Sequence, residues 1–77
     1  MTTTAKTITE SQIRALRTEA ASSGDFAQLA ICDLALDGSF DADDYTTIED
    51  RDAKRIASMS QEQAIAECAS VIAEAQQ

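Results

Sequence analysis

The sequence predicts an all-α fold, a compact bundle of about four short helices with an acidic loop between the second and third. Three observations support this. A capping residue followed three positions later by Glu or Gln occurs four times, as Thr9 with Gln12, Asp25 with Gln28, Thr46 with Glu49 and Ser60 with Gln63. The chain's two glycines, Gly24 and Gly38, fall where a helix takes a left-handed residue after its last turn. Strand-like alternation is absent, and the connections are short.

Helix one is expected from about Glu10 to Ser22, with Ile13, Leu16 and Ala20 on one stripe and Glu10 and Arg14 paired at i,i+4. Ile8, just before its cap, is placed to pack on Ile13 as a hydrophobic staple. Helix two, from Phe26 to about Leu36, is apolar nearly all round and belongs at the centre of the core. The stretch from Ser39 to Tyr45 reads as an ordered acidic loop. Helix three follows, about Thr47 to Ser58, with Ile48, Ile56 and Met59 inward, and Asp50 and Lys54 form an i,i+4 pair on its surface. Helix four, from Gln61 to about Ala75, carries the stripe Ala64, Ile65, Cys68, Ala69 and Ile72. Residues 1–7 are expected to be a disordered tail and residues 8–77 a single helical domain, with the closing glutamines frayed.

A domain of 77 residues buries only about 60% of the surface its unfolded chain exposes, so its stability margin is about 3–5 kcal/mol. A deep catalytic cleft would remove much of that core. The formal charge of -8, from 14 acids against 6 bases, disfavours direct contact with nucleic acid or anionic membrane and favours basic surfaces. No apolar run approaches the length that spans a bilayer, and the start resembles no secretory signal, so the expected location is intracellular, in the cytoplasm. In that reducing setting Cys32 and Cys68 read as small buried hydrophobes rather than a structural disulfide.

The chemistry of sites points away from catalysis and metal. Without histidine neither cysteine has its usual base, so no enzyme is expected. A twelve-residue calcium frame is approached by Asp33, Asp37, Gly38, Phe40 and Asp44, but Ala35 holds the third ligand position and Asp44 is shorter than the glutamate the twelfth requires. No metal or cofactor is expected. A helix-turn-helix reading fails on its second helix, where Gln28 and Asp33 are the only polar side chains before Leu36 and no base can hold a phosphate. Arg51, Lys54 and Arg55 read as a solvated helix face.

What remains is the acidic block. Asp33, Asp37, Asp41, Asp43, Asp44, Glu49 and Asp50 follow one another with no base between them. Like charges repel, so such a block either keeps a small protein in solution or meets a positive partner. On the second reading Asp37, Asp41, Asp43, Asp44, Tyr45, Glu49 and Asp50 form the partner-binding site. The carboxylates would then take the places of phosphates in a basic channel, and Tyr45 with Phe40 would supply aromatic contact.

Two stretches, ITESQIRALRTEAASSGDFAQLAICDLAL from Ile8 to Leu36 and AIAECASVIAEA from Ala64 to Ala75, resemble short helical proteins carried by bacteriophages and mobile elements, over about half the chain. In size, charge and helical build the whole is similar in character to small anti-CRISPR proteins, several of which present acidic surfaces to the DNA-binding face of a type I CRISPR surveillance complex. Those inhibitors share no diagnostic residues, so the site rests on charge and aromatic placement alone. The resemblance implies a non-enzymatic phage-encoded inhibitor that binds a basic surface of a host defence complex, by DNA mimicry. The alternative is a structural or regulatory helical module that forms a homodimer through surplus apolar surface on helices two and four.

Overall fold

The computed structural model describes residues 8–41, 43, 45 and 47–75. The expected tail, the closing glutamines, the Thr46 cap and Asp44 lie outside the described residues. Within them the fold is an all-α bundle of four helices: α1 Glu10–Ser23, α2 Phe26–Asp37, α3 Asp50–Ala57 and α4 Gln61–Ala75.

The caps explain the starts. Thr9 Oγ1 accepts from the Gln12 amide at 3.2 Å, and Gln12 Oε1 accepts from the Thr9 amide at 2.8 Å, a complete capping box. Ser60 and Gln63 repeat it ahead of α4 at 3.1 and 2.8 Å. Only half of the box forms at α2. Asp25 accepts from the Gln28 amide at 3.2 Å, but the Gln28 side chain turns inward toward Cys32 Sγ at 3.7 Å. Both glycines sit in the left-handed region, Gly24 at φ 80° and Gly38 at φ 77°. After Gly24 the Asp25 amide reaches back to the Ala20 carbonyl at 2.9 Å, closing the last turn of α1.

The start of α3 corrects the expectation. The helix begins at Asp50 rather than Thr47, and its N-cap, Glu49, is extended with no side-chain cap bond. Thr46, Thr47 and Ile48 are three β-branched residues in a row, which lose rotamer freedom in a helix. Ile48 instead packs on the core from a turn in which its amide bonds the Tyr45 carbonyl at 3.2 Å. Asp50 and Asp52 then occupy the first turn and Lys54 and Arg55 the last, the arrangement the helix dipole favours at both ends. Asp50 makes no ion pair with Lys54. Arg51 approaches Glu49 at 3.7 Å, and Arg55 meets Glu67 of α4 at 3.1 Å.

Helix α2 lies at the centre, packed against α1, α3 and α4. It runs antiparallel to α4, since Cys32 meets Cys68 while Ala35, further along, meets Gln61 at the start of α4. Gln61 Nε2 donates to the Ala35 carbonyl at 3.0 Å, so one helix start satisfies a terminal carbonyl of the other. Small buried side chains mark this contact: Ala35 and Ala64 lie one turn from Cys32 and Cys68 on the same helix faces, and Ala30 and Ala69 are buried as well. The larger buried residues are Ile13, Ile31, Leu34 and Ile56. Ile8, Leu16, Phe40, Tyr45, Ile48, Met59 and Ile65 pack around this core half-buried.

Ile56 is fully buried and is the largest such side chain. Truncation to alanine at a site of this kind costs about 2–5 kcal/mol, comparable with the margin of about 3–5 kcal/mol for a domain this small. The Ile56→Ala variant is therefore expected to be largely unfolded at 37 °C, measured as loss of helical circular dichroism. A fully helical variant with an unchanged urea midpoint would show that α3 is peripheral.

Candidate functional site

The acidic segment runs from the end of α2 to the first turn of α3, and its geometry starts at Asp33. Asp33 is the only charged residue before Asp37 in an otherwise apolar helix, and its side chain is just 18% exposed. A carboxylate so placed needs partners. It has two: Arg17 Nε of α1 donates to Oδ1, and the Tyr45 hydroxyl donates to Oδ2. The hydrogen bond and the charge of Asp33 raise the Arg17 pKa, holding the guanidinium protonated. Tyr45 also stacks on Phe40, ring centroids 5.7 Å apart and planes 17° from parallel, and both rings pack on the core.

Helix α1, helix α2 and the acidic loop thus meet at one carboxylate. Tyr45, expected to contact a partner, has its hydroxyl on Asp33 and its ring half-buried, so it holds the loop in place. The calcium frame is not a loop here, because residues 33–37 are helical and both Asp33 oxygens are engaged.

The remaining acids sort by what they touch. Asp41 accepts from the Asp43 amide at 3.0 Å, a local turn bond. Glu49 faces Arg51 across 3.7 Å with side chains 74% and 85% exposed, a pair worth little in water. Asp50 supports the α3 dipole. The side chains of Asp37 and Asp43 are exposed and carry no ion pair or hydrogen bond among the described residues. Asp37 is the last residue of α2, whose final turn has no base, so its charge adds to the negative end of that helix. Asp37, Asp41, Asp43, Glu49 and Asp50 are all exposed along the segment that Tyr45 anchors to the core, but the segment runs the length of α2: Asp37 ends that helix, whereas Glu49 lines a groove with Asp25 and Phe26 at its start.

Two shallow grooves flank the bundle. One of about 410 Å³ lies between the end of α3 and α4, lined by Arg55, Ser58, Met59, Gln63, Ala66 and Glu67. The other, about 320 Å³, lies between the start of α2 and the start of α3, where Asp25, Phe26, Ile48 and Arg51 line it. Among the described residues no cluster of His, Cys, Asp and Glu is arranged to hold a metal, and no helix is long and apolar enough to cross a membrane. No family model, curated protein or solved structure matches the chain.

The Arg17–Asp33–Tyr45 network was not anticipated from sequence, although its signal is there: a lone carboxylate within an apolar helix requires a donor from a neighbouring element. Replacing Asp33 with Asn should cost about 1–3 kcal/mol in urea unfolding, the range for losing hydrogen bonds to a charged group. Amide exchange should quicken first between residues 39 and 49, because the loop loses its anchor before the helices open. Uniform quickening across all four helices would assign Asp33 to global stability alone.

Proposed function

We propose that this protein is a non-enzymatic binding module whose acidic segment docks on a basic, nucleic-acid-binding surface of a protein complex. The observation that carries this reading is the anchored display of exposed carboxylates between Asp37 and Asp50, held from the core side by Tyr45 and Phe40. A flexible acidic loop would lose conformational entropy on docking; one already stacked and hydrogen-bonded to Asp33 loses less. Asp37 and Asp43 supply charge that no ion pair or hydrogen bond among the described residues offsets, Asp41 adds to it nearby, and Glu49 and Asp50 extend the negative charge to the start of α3. Asp44 belongs to the segment by sequence.

The finer reading is a phage-encoded inhibitor, anti-CRISPR-like, that mimics DNA in a basic channel of a host defence complex. The support is the chain's size, its charge of -8 and its resemblance in character to such inhibitors. A type I CRISPR surveillance complex is the first partner to test, and binding there would exclude DNA by occupying its phosphate contacts.

A second reading, self-association, has its own observation. Phe26 and Leu29 of α2 and Val71 and Ile72 of α4 are only half-buried, and the antiparallel run of the two helices brings them to the same end of the bundle. The two readings respond oppositely to salt. Docking by charge weakens as ions screen it, whereas apolar pairing is indifferent or strengthened.

Capture from bacterial lysate on tagged protein at about 0.1 M and about 0.5 M salt separates them. Charge-driven docking predicts a nucleic-acid-binding complex retained at the lower salt and lost at the higher, with DNA loading blocked in the retained complex. With that partner, the triple change Asp41→Asn, Asp43→Asn and Asp44→Asn should weaken binding at least about tenfold while leaving the thermal melt in place. Asparagine at 41 retains an oxygen that can accept from the Asp43 amide, so the test removes charge rather than the turn. Unchanged affinity would remove the acidic segment as the site, and recovery of the protein alone at both salts would favour self-association.

A further inference from the structure

The sulfurs of Cys32 and Cys68 meet at 3.9 Å, with both residues fully buried where α2 crosses α4. They are 36 positions apart in the chain and both are free thiols. Their surroundings are asymmetric. Cys32 Sγ faces two potential donors, the Cys68 thiol at 3.9 Å and Gln28 Nε2 at 3.7 Å, whereas Cys68 has only Cys32. The hydrogen bond to Cys32, reinforced by burial, pushes the Cys68 thiol up, and the same bond draws Cys32 down. Cys32 is therefore the better seat for a thiolate and Cys68 the better proton holder.

We propose that Cys32 and Cys68 form a redox-reversible cross-link that ties α2 to α4 in the presence of a two-electron oxidant of the peroxide class. Closing the gap to a sulfur–sulfur bond requires an approach of roughly 2 Å. One turn from the cysteines on the same helix faces, the buried Ala35 and Ala64 present little side-chain bulk against such an approach. Buried thiols meet the oxidant during local opening, which a domain with a thin core samples readily.

The chemistry balances in two steps. Cys32 thiolate attacks one peroxide oxygen, the oxygen–oxygen bond breaks, and the departing hydroxide takes up the proton that Cys32 released on ionising and leaves as water, giving a sulfenic acid. Cys68 sulfur then attacks the Cys32 sulfur, the sulfur–oxygen bond breaks, the disulfide forms and a second water leaves. The pair of thiols loses two electrons and two protons, and the peroxide is reduced to water. A reductant of the dithiol class reverses the link by exchange through a mixed disulfide.

The test uses the reduced full chain treated with hydrogen peroxide under native conditions, then denatured, alkylated with N-ethylmaleimide and weighed intact. The expected product is a monomer lighter by about 2 Da that takes up no alkylating agent and is restored by dithiothreitol. Its Tm should rise by about 10 °C or more, because the link constrains a long loop of the unfolded chain. Cys68→Ser should accumulate a dimedone-reactive sulfenic acid, and Cys32→Ser should not. Full alkylation after an exposure that cross-links the urea-unfolded chain would overturn the proposal. So would over-oxidised monomer without a cross-link, or predominance of disulfide-linked dimers. Wild-type protein alone decides the cross-link if either serine variant fails to fold, and the outcome is independent of what the acidic segment binds.

Discussion

Asp33 is the constraint on which the rest of the structure turns. A central helix buried on most sides gives a small domain its core, yet this one carries a carboxylate that cannot be left dry and unpaired. Arg17 satisfies it from α1, which fixes how the first two helices lie against each other. Tyr45 satisfies it from the loop, which fixes where the chain goes after Gly38. The Arg17 side chain is nearly half exposed, so solvent screens the charge term and the geometric role outweighs the energetic one. Tyr45, with Phe40 stacked on it, is held against the core because its hydroxyl completes a polar site begun two elements earlier.

What could be read in the sequence follows the range of each interaction. The starts of α1, α2 and α4 and the ends at Gly24 and Gly38 were legible because capping and left-handed glycine are decided within a few residues. The central place of α2 was legible because an all-round apolar helix has nowhere else to go. The start of α3 was not. Thr46 and Glu49 have the spacing of a capping box, but β-branched crowding and the burial of Ile48 compete with it, and the second depends on tertiary contacts. For the same reason Gln28 completes no box: its side chain finds Cys32 in the folded core. The candidate site was legible as a run of charge but not as a ranked one, because partners such as Arg51 for Glu49 or Asp43 for Asp41 appear only once the chain has turned.

The thin core has a second consequence. Where α2 meets α4, Cys32 and Cys68 touch with the buried Ala35 and Ala64 one turn away, so this contact depends on closeness rather than bulk. Gln61 reinforces this by satisfying the Ala35 carbonyl, and Gly38 leaves the space that Gln61 needs, since a Cβ there would meet Gln61 Oε1 at 3.3 Å. Close helices bring Cys32 and Cys68 into contact, so the same small side chains that build the core place two thiols within reach of each other.

The distribution of charge separates acids that serve the fold from those that do not. Asp25 caps α2, Asp50 and Asp52 sit at the favourable end of α3, and Asp33 is paired, so each has a local return. Asp37 has none. It stands at the unfavourable end of α2, where a base would stabilise the helix by about 0.3–1 kcal/mol, and the carbonyls of the last turn take neutral donors instead, the Gly38 amide on Leu34 and Gln61 on Ala35. Asp43 follows a few residues later, equally unpaired. Two like charges 4 Å apart in water repel by only about 1 kcal/mol, so folding tolerates this concentration without requiring it. A negative helix terminus reinforced by an unpaired carboxylate, beside a loop that adds more, is a field that the fold could neutralise with one lysine and does not. That absence of compensation, more than the net charge, sets the end of α2 as the centre of the proposed docking surface.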